Sequence, residues 1–373
     1  MTTLAEETVD PGEPAQTADF IAYLRTASAK RYPTGVVRRF NQARAAGCVQ
    51  AEFTVPDGLP KEHRVGVFAE PRTYQAWIRF ASASTLTDRD KDTRGMAIRL
   101  SGVAGSNLTA GETRQDFVLN SHPVLVAGNA KDFYELLQAN EAGGLKRILY
   151  FLAHPKSALI GFQAQQNPTC HLDIPYWSTT PYLFGQGRAV KYITRPCSER
   201  KSAKPNPLTD TYLHDALRTH LQQSDACFDF MIQFQTDSQT MPIEDATVEW
   251  KEADSAYHPV ARIRIPKQDI DEPGRAELCE EVGFNPWYCL TEHRPLGSLN
   301  RARREIYRAM ADFRHQRKLI LGRHLTIIVP SHRNRKPIPT AGLSMELTGA
   351  IPGTHVRPHP KLDAIANKSS MGI

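Results

Sequence analysis

The chain has 373 residues, 40% of them hydrophobic and 23% charged, with a formal net charge of +6. This is an ordinary globular composition, and no stretch approaches the ~20 apolar residues that would span a bilayer. Integral membrane association is therefore not expected, and one large β-barrel domain with helical additions fits the length.

Taken in chain order, MTTLAEETVDPGEPAQTADF is acidic and lacks the apolar segment of a signal peptide, so it reads as an arm laid over the surface. Residues 18–30 carry helical apolar spacing, closed by Tyr32-Pro33-Thr34-Gly35. Strand-like segments follow at 48–55, 63–69, 75–83, 95–103 and 116–120, each bounded by turn residues. Residues 130–152 and 208–223 read as helices, and alternation returns at 228–235, 246–250 and 260–266. The sum is an antiparallel α+β plan whose strand number suits a closed barrel. From 331 to 373 the chain is polar and rich in proline, a tail with little structure expected of its own.

Six cysteines, at 48, 170, 197, 227, 279 and 289, form no C-x-x-C pair and no zinc spacing with histidine. Reduced buried thiols in a cytoplasmic protein are the favoured reading over disulfides or metal ligation. Between Arg301 and Lys336 there are eleven Lys or Arg against two acids, Glu305 and Asp312. No nucleic-acid motif accompanies the run, so a nucleic-acid partner is not expected. Some of these arginines are candidates to hold the anionic groups of a buried cofactor.

The segment FNPWYCLTEHRPLGSLNRARREIYRAMADFRHQRK (284–318) carries the chemistry. Helical spacing begins at Ser298, a candidate N-cap, and runs to 318. Arg303 and Tyr307 are four apart and share a face, with Arg314 seven further on. A cation beside a phenol favours the phenolate, an anionic ligand suited to ferric iron and the axial ligand of catalase haem.

The chain resembles the catalase superfamily, and within it the short members that keep only the haem barrel, from about Gly35 to Lys318. The blocks that carry the likeness are VVRRFNQARAAGCVQAEFTV (36–55), WIRFASAS…DKDTRGMAIRL (77–100), DFVLNSHPVLVAGNAKDF (116–133), DATVEW (245–250) and FNPWY (284–288). The resemblance implies an antiparallel eight-stranded barrel with surrounding helices and a haem b cofactor whose iron is held by Tyr307. It makes Arg303 the partner of that tyrosine and sets Arg39, Arg79 and Arg314 around the haem propionates. Phe133 corresponds to an aromatic above the haem, and Asn120 to the distal asparagine. It divides the chain into an N-terminal arm and helix (1–34), a haem-binding core (35–330, with the proximal helix at 298–318) and a C-terminal tail (331–373).

The pattern breaks at one place. Anchored on Ala43-Arg44 and Gly47, the family's distal histidine falls on Gln42, or on Asn41 with a one-residue shift, an amide either way, and its supporting serine falls on Ala81. An amide donates and accepts hydrogen bonds but cannot carry a proton, whereas general acid–base assistance supplies roughly 10²–10⁴-fold. Efficient hydrogen peroxide dismutation is therefore not expected. The favoured expectation is a haem enzyme acting on organic, including fatty-acid, hydroperoxides as peroxidase, lyase or dehydratase, like the allene oxide synthase relatives of the superfamily. Gln42 and Asn120 would position the oxygens. The alternatives are a weak catalase or peroxidase using hydrogen peroxide, and a non-catalytic haem-binding or sensing protein. The expected partner is a small-molecule peroxide, with homo-oligomerisation left open.

Overall fold

The computed structural model describes residues 3–198 and 201–328, with side chains to residue 318. The tail expected from 331 to 373 lies outside the described residues. An arm leads into α1 (Glu13–Arg31), and β1 (Arg44–Val55), β2 (Arg72–Ser82), β3 (Arg94–Ser101) and β4 (Arg114–Asn120) then form an antiparallel meander. Next come α2 (Ala130–Ala142), α3 (Gly144–Ala153) and α4 (Pro155–Ala164), followed by β5 (Tyr176–Trp177), β6 (Tyr182–Leu183) and β7 (Ala189–Pro196). Then α5 (Tyr212–Gln223) precedes β8 (Ala226–Phe234) and β9 (Tyr257–Ile265), and α6 (Arg275–Glu281) and α7 (Ser298–Ile328) follow.

Strand β9 pairs with β1, and β5 pairs with both β4 and β7. The order β1-β2-β3-β4-β5-β7-β8-β9 therefore closes into the expected eight-stranded antiparallel barrel, with β6 attached to β7. Alternation decides what each strand turns inward. Val49, Ala51, Phe53, Ile78, Phe80, Met96, Ile98, Phe117, Leu119, Phe228 and Phe230 belong to one buried core. Phe53, Phe117, Phe230 and Tyr192 meet ring to ring there at 4.8–6.1 Å. The interior is thus filled by side chains, as an eight-stranded barrel allows. Chemistry must lie on the outer face, where the intervening residues point.

Several expectations shift. In place of the strand expected over 63–69 there are two short 3-10 turns, Lys61–His63 and Gly66–Phe68, and 246–250 is a loop rather than a strand. The helix expected over 130–152 is broken at Gly143 and Gly144, whose φ values of 61° and 49° are positive. Ser298 does not act as the expected cap: its hydroxyl accepts from the Ala130 amide at 3.3 Å. The six-thiol expectation survives only at the buried Cys170 and Cys289. Cys48 is bonded to Cys279 and Cys197 to Cys227, each pair with Cα atoms 5.5 Å apart. The first pair joins residues 231 apart, a proximity created by packing α6 on β1, which sequence spacing does not reveal.

The arm is tied to α7. Glu7 accepts from the Gly297 amide at 2.8 Å and pairs with Arg294 and Arg301, while Arg301 also reaches Glu13 and Glu244. Burial pushes the Glu7 carboxyl up, but the Gly297 amide and the two guanidinium groups outweigh it and hold it below its ordinary value.

Two fully buried histidines brace the barrel. His171 touches the Tyr176 hydroxyl at 3.0 Å, and His293 accepts from the Val67 amide at 3.1 Å. Burial, with the Arg94 charge nearby, lowers His171 from 6.5 to about 3, and burial lowers His293 to about 4. Between pH 6.5 and about 4 the unfolded chain therefore binds more protons than the folded one, and stability falls as the pH falls. Urea midpoints measured across that window should decline on acidification, and His171→Leu should shrink the slope. A flat profile in the parent protein contradicts the neutral buried imidazoles.

Candidate functional site

The same alternation that turns Ile78, Phe80, Met96 and Leu119 inward turns Arg79, Ala81, Gly95 and Asn120 to the outer face. Register then makes neighbours of them. Ala81 stands opposite Gly95, and Gly95 opposite Asn120, across three consecutive strands. Over this row the loop before β1 lays Gln42, which has a left-handed φ of 58° that a non-glycine residue seldom adopts.

Gln42 Nε2 donates to Asn120 Oδ1 at 3.4 Å, and its backbone amide donates to the Ala83 carbonyl at 2.8 Å. Its amide group lies flat on Gly95, where an added Cβ would stand 2.3 Å from Oε1. That oxygen is buried and has no hydrogen-bond partner, a cost of ~1–3 kcal/mol unless a ligand supplies a donor. The structure thus joins the two amides expected to meet, and adds Gly95, which sequence reading passed over. Ala81, Gly95 and Asn120, the residues of this row, offer no group that could serve as a base.

A second cluster forms along the same outer face. Arg39 Nη1 reaches Glu280 Oε2 at 2.9 Å, and its Nη2 donates to the Val282 carbonyl at 2.8 Å. Arg79, buried on β2, reaches Glu280 Oε1 at 3.4 Å, and Arg314 of α7 lies within electrostatic range of both arginines and of Glu280. Burial comes first and the like charges second, and together they lower Arg79 to about 9 and Arg314 to about 10. Three guanidinium groups share one carboxylate, and that carboxylate is half exposed. Arg79 Nε is buried without a partner. The neighbouring Cys279 is bonded to Cys48 on the outer face of β1, which fixes the helix carrying Glu280. Glu280 was not legible as a site residue, because only the packing of α6 brings it to the arginines.

Helix α7 packs against α1 and α2. Arg303 and Tyr307, both half-buried, lie one turn apart, and both act electrostatically on the buried Tyr182 of β6. The hydrogen bonds of Arg303 Nη1 go to Thr180 Oγ1 at 3.0 Å and Asn300 Oδ1 at 2.9 Å rather than to the phenol. Asn300, fully buried, also donates to the carbonyls of Pro181 and Leu296, so it locks this end of α7 to the barrel. Phe133 of α2 sits where three apolar clusters meet, against Ile306, Leu125 and Ile160 among others. A surface groove lined by Thr109, Asn285, Trp287, Arg304 and Arg308 includes none of the expected site residues.

Known structures similar to this one are catalases. A fungal catalase matches with a TM-score of 0.61 at 16% identity, over 78% of this chain and 62% of its own. Catalase A from Saccharomyces cerevisiae gives 0.60 at 16% identity, over 79% and 64%. A bacterial catalase gives 0.58 at 15% identity, over 87% and 67%. The chain spans less than two thirds of the length of the first two. No family model matches the chain, and no curated protein matches it. The fold is therefore catalase-like.

The sequence resemblance expects haem, and the residues present fit that group in two respects. The arginine trio has more buried positive charge than Glu280 neutralises, which suits the carboxylates of a propionate-bearing ligand. The orphaned Gln42 oxygen, over the same outer face that carries Arg79, suits a ligand with a donor. Removing the competing carboxylate with Glu280→Gln should tighten haemin binding about tenfold, and Arg314→Ala should weaken it by a similar factor. Titration of the purified protein checks both. Unchanged affinity in the two variants would show that the cluster does not hold the ligand's carboxylates.

Proposed function

We propose that the protein is a haem enzyme acting on organic hydroperoxides, as peroxidase, lyase or dehydratase. In this reading residues 35–330 form the haem-binding core and residues 1–34 an arm that steadies it. The observation that carries the proposal is the Gln42–Asn120 pair, with its one buried acceptor left without a donor. A hydroperoxide ROO–H has one hydroxyl to offer it.

Tyr307 would ligate the iron as phenolate, with Arg303 one turn away as the nearby cation. Arg39, Arg79 and Arg314 would hold the propionates by charge-assisted hydrogen bonds. The bound group supplies the redox chemistry at the O–O bond. What this chain adds is positioning. The hydroxyl of the substrate donates to Gln42 Oε1, and the Asn120 side-chain amide donates to an oxygen of the peroxide. Neither amide can take the proton away, so cleavage that depends on moving a proton between the two oxygens is disfavoured. That is the case for hydrogen peroxide. Leu125 and Phe133, both partly buried over the cluster of Ala130, Leu299 and Ala302, suit an organic tail.

The haem-loaded protein should turn over alkyl and fatty-acid hydroperoxides faster than free haemin does, and should evolve little oxygen from hydrogen peroxide. Gln42→His should raise the hydrogen peroxide rate by roughly 10²-fold or more, the contribution of a positioned base. Gly95→Ala, which evicts the Gln42 side chain, should depress hydroperoxide turnover without loss of haem. Turnover no better than haemin in the parent protein sinks the proposal.

A further inference from the structure

The hairpin of α3 and α4 is built unlike the other helices. Six of the ten large hydrophobic side chains exposed among the described residues lie on it: Leu145, Ile148, Leu149, Leu152, Leu159 and Phe162. Leu145, Leu152 and Phe162 are 70%, 73% and 78% exposed, so these are not core residues at a rim. Along α3 the spacing is i, i+3, i+4, i+7, a single stripe, and Leu159 and Phe162 continue it on α4 at i, i+3. Among its described residues α3 has none buried.

The hairpin is nonetheless well anchored from beneath. Tyr150 and Phe151 pack with Val124, Val126, Leu136 and Ile160, and the Tyr150 hydroxyl donates to the Asp132 carbonyl at 3.2 Å. The stripe is therefore held outward by a fixed inner face, which rests on the helix carrying Phe133. Its charge is one-sided. Lys146 and Lys156, both exposed, flank it, while Arg147 falls on the side of α3 that carries Tyr150 and Phe151, and no Asp or Glu occurs from residue 142 to 172. Each helix has ten residues, about 15 Å of length, too short to cross a bilayer and suited to lying along one.

We propose that the α3–α4 hairpin docks the protein on an anionic lipid surface, with the leucine and phenylalanine stripe entering the headgroup boundary. Lys146 and Lys156 would meet the lipid charges. A second copy of this chain fits the face less well. A twofold contact places the same patch against itself, and would set these cations against their own copies with no acid on the segment to pair them.

The test uses the full chain and vesicles of phosphatidylglycerol and phosphatidylcholine in equal parts. The protein should co-sediment with them, and Leu149→Glu with Phe162→Glu should abolish binding while far-UV circular dichroism stays unchanged. The double variant Lys146→Gln, Lys156→Gln keeps the apolar stripe and should lose about fivefold in affinity per charge removed. Equal binding to pure phosphatidylcholine vesicles overturns the anionic assignment. No vesicle binding, with a dimer in sedimentation velocity that Leu149→Glu dissociates, overturns the lipid surface in favour of a contact between copies.

Discussion

Three guanidinium groups, from the loop before β1, from β2 and from α7, converge on the single carboxylate of Glu280. Like charges do not gather in partly buried surroundings without a counter-charge, and burial together with mutual repulsion lowers the pKa of Arg79 and Arg314. The arrangement persists because each arginine is held by a separate element. Arg79 is fixed by β-pairing, Arg39 by three carbonyls of the α6 segment, and Arg314 by the anchoring of α7. The last depends in turn on Asn300 and on the acidic residues Glu7, Glu13 and Glu244 that clamp Arg301. The local excess of positive charge is a property of the whole architecture, and it is what most constrains the kind of ligand the outer face can hold.

The opposite end of that face is electrically quiet. Gln42 and Asn120 are neutral, Ala81 and Gly95 are small, and the strained backbone at Gln42 turns an amide inward at the position where the resemblance expects imidazole. Such a pair can orient oxygens but cannot shuttle a proton. The contrast between a charged end and a neutral, baseless end of one outer face is what the proposed function builds on, a reaction governed by placement. The exposed apolar hairpin beside α2 is consistent with a protein that works near lipid, though it stands on separate observations.

The barrel was legible from alternation because one face of each long strand is buried in a common core. β1 to β4, β8 and β9 could be recognised with ends displaced by a few residues. β5 and β6 have two residues each and leave no periodic signal. β7 is buried on both faces for most of its length, so it never alternates and escaped notice. At the site, Arg39, Arg79 and Arg314 do gather as expected, and Gln42 does meet Asn120. Glu280, Asn300 and the Cys48–Cys279 bond were invisible. Each acts through a contact between distant segments, and neither spacing nor composition encodes which helix will lie against which strand. The expectation of reduced thiols failed for the same reason.

The central claim is that α7 offers Tyr307 to a ferric haem held by this arginine cluster. The most direct measurement is the absorption and electron paramagnetic resonance spectrum of the haemin-loaded protein beside that of Tyr307→Phe. The account predicts a high-spin ferric tyrosinate signature in the parent protein that disappears in the variant. Identical spectra, or haemin bound with no defined axial ligand in either, would contradict it.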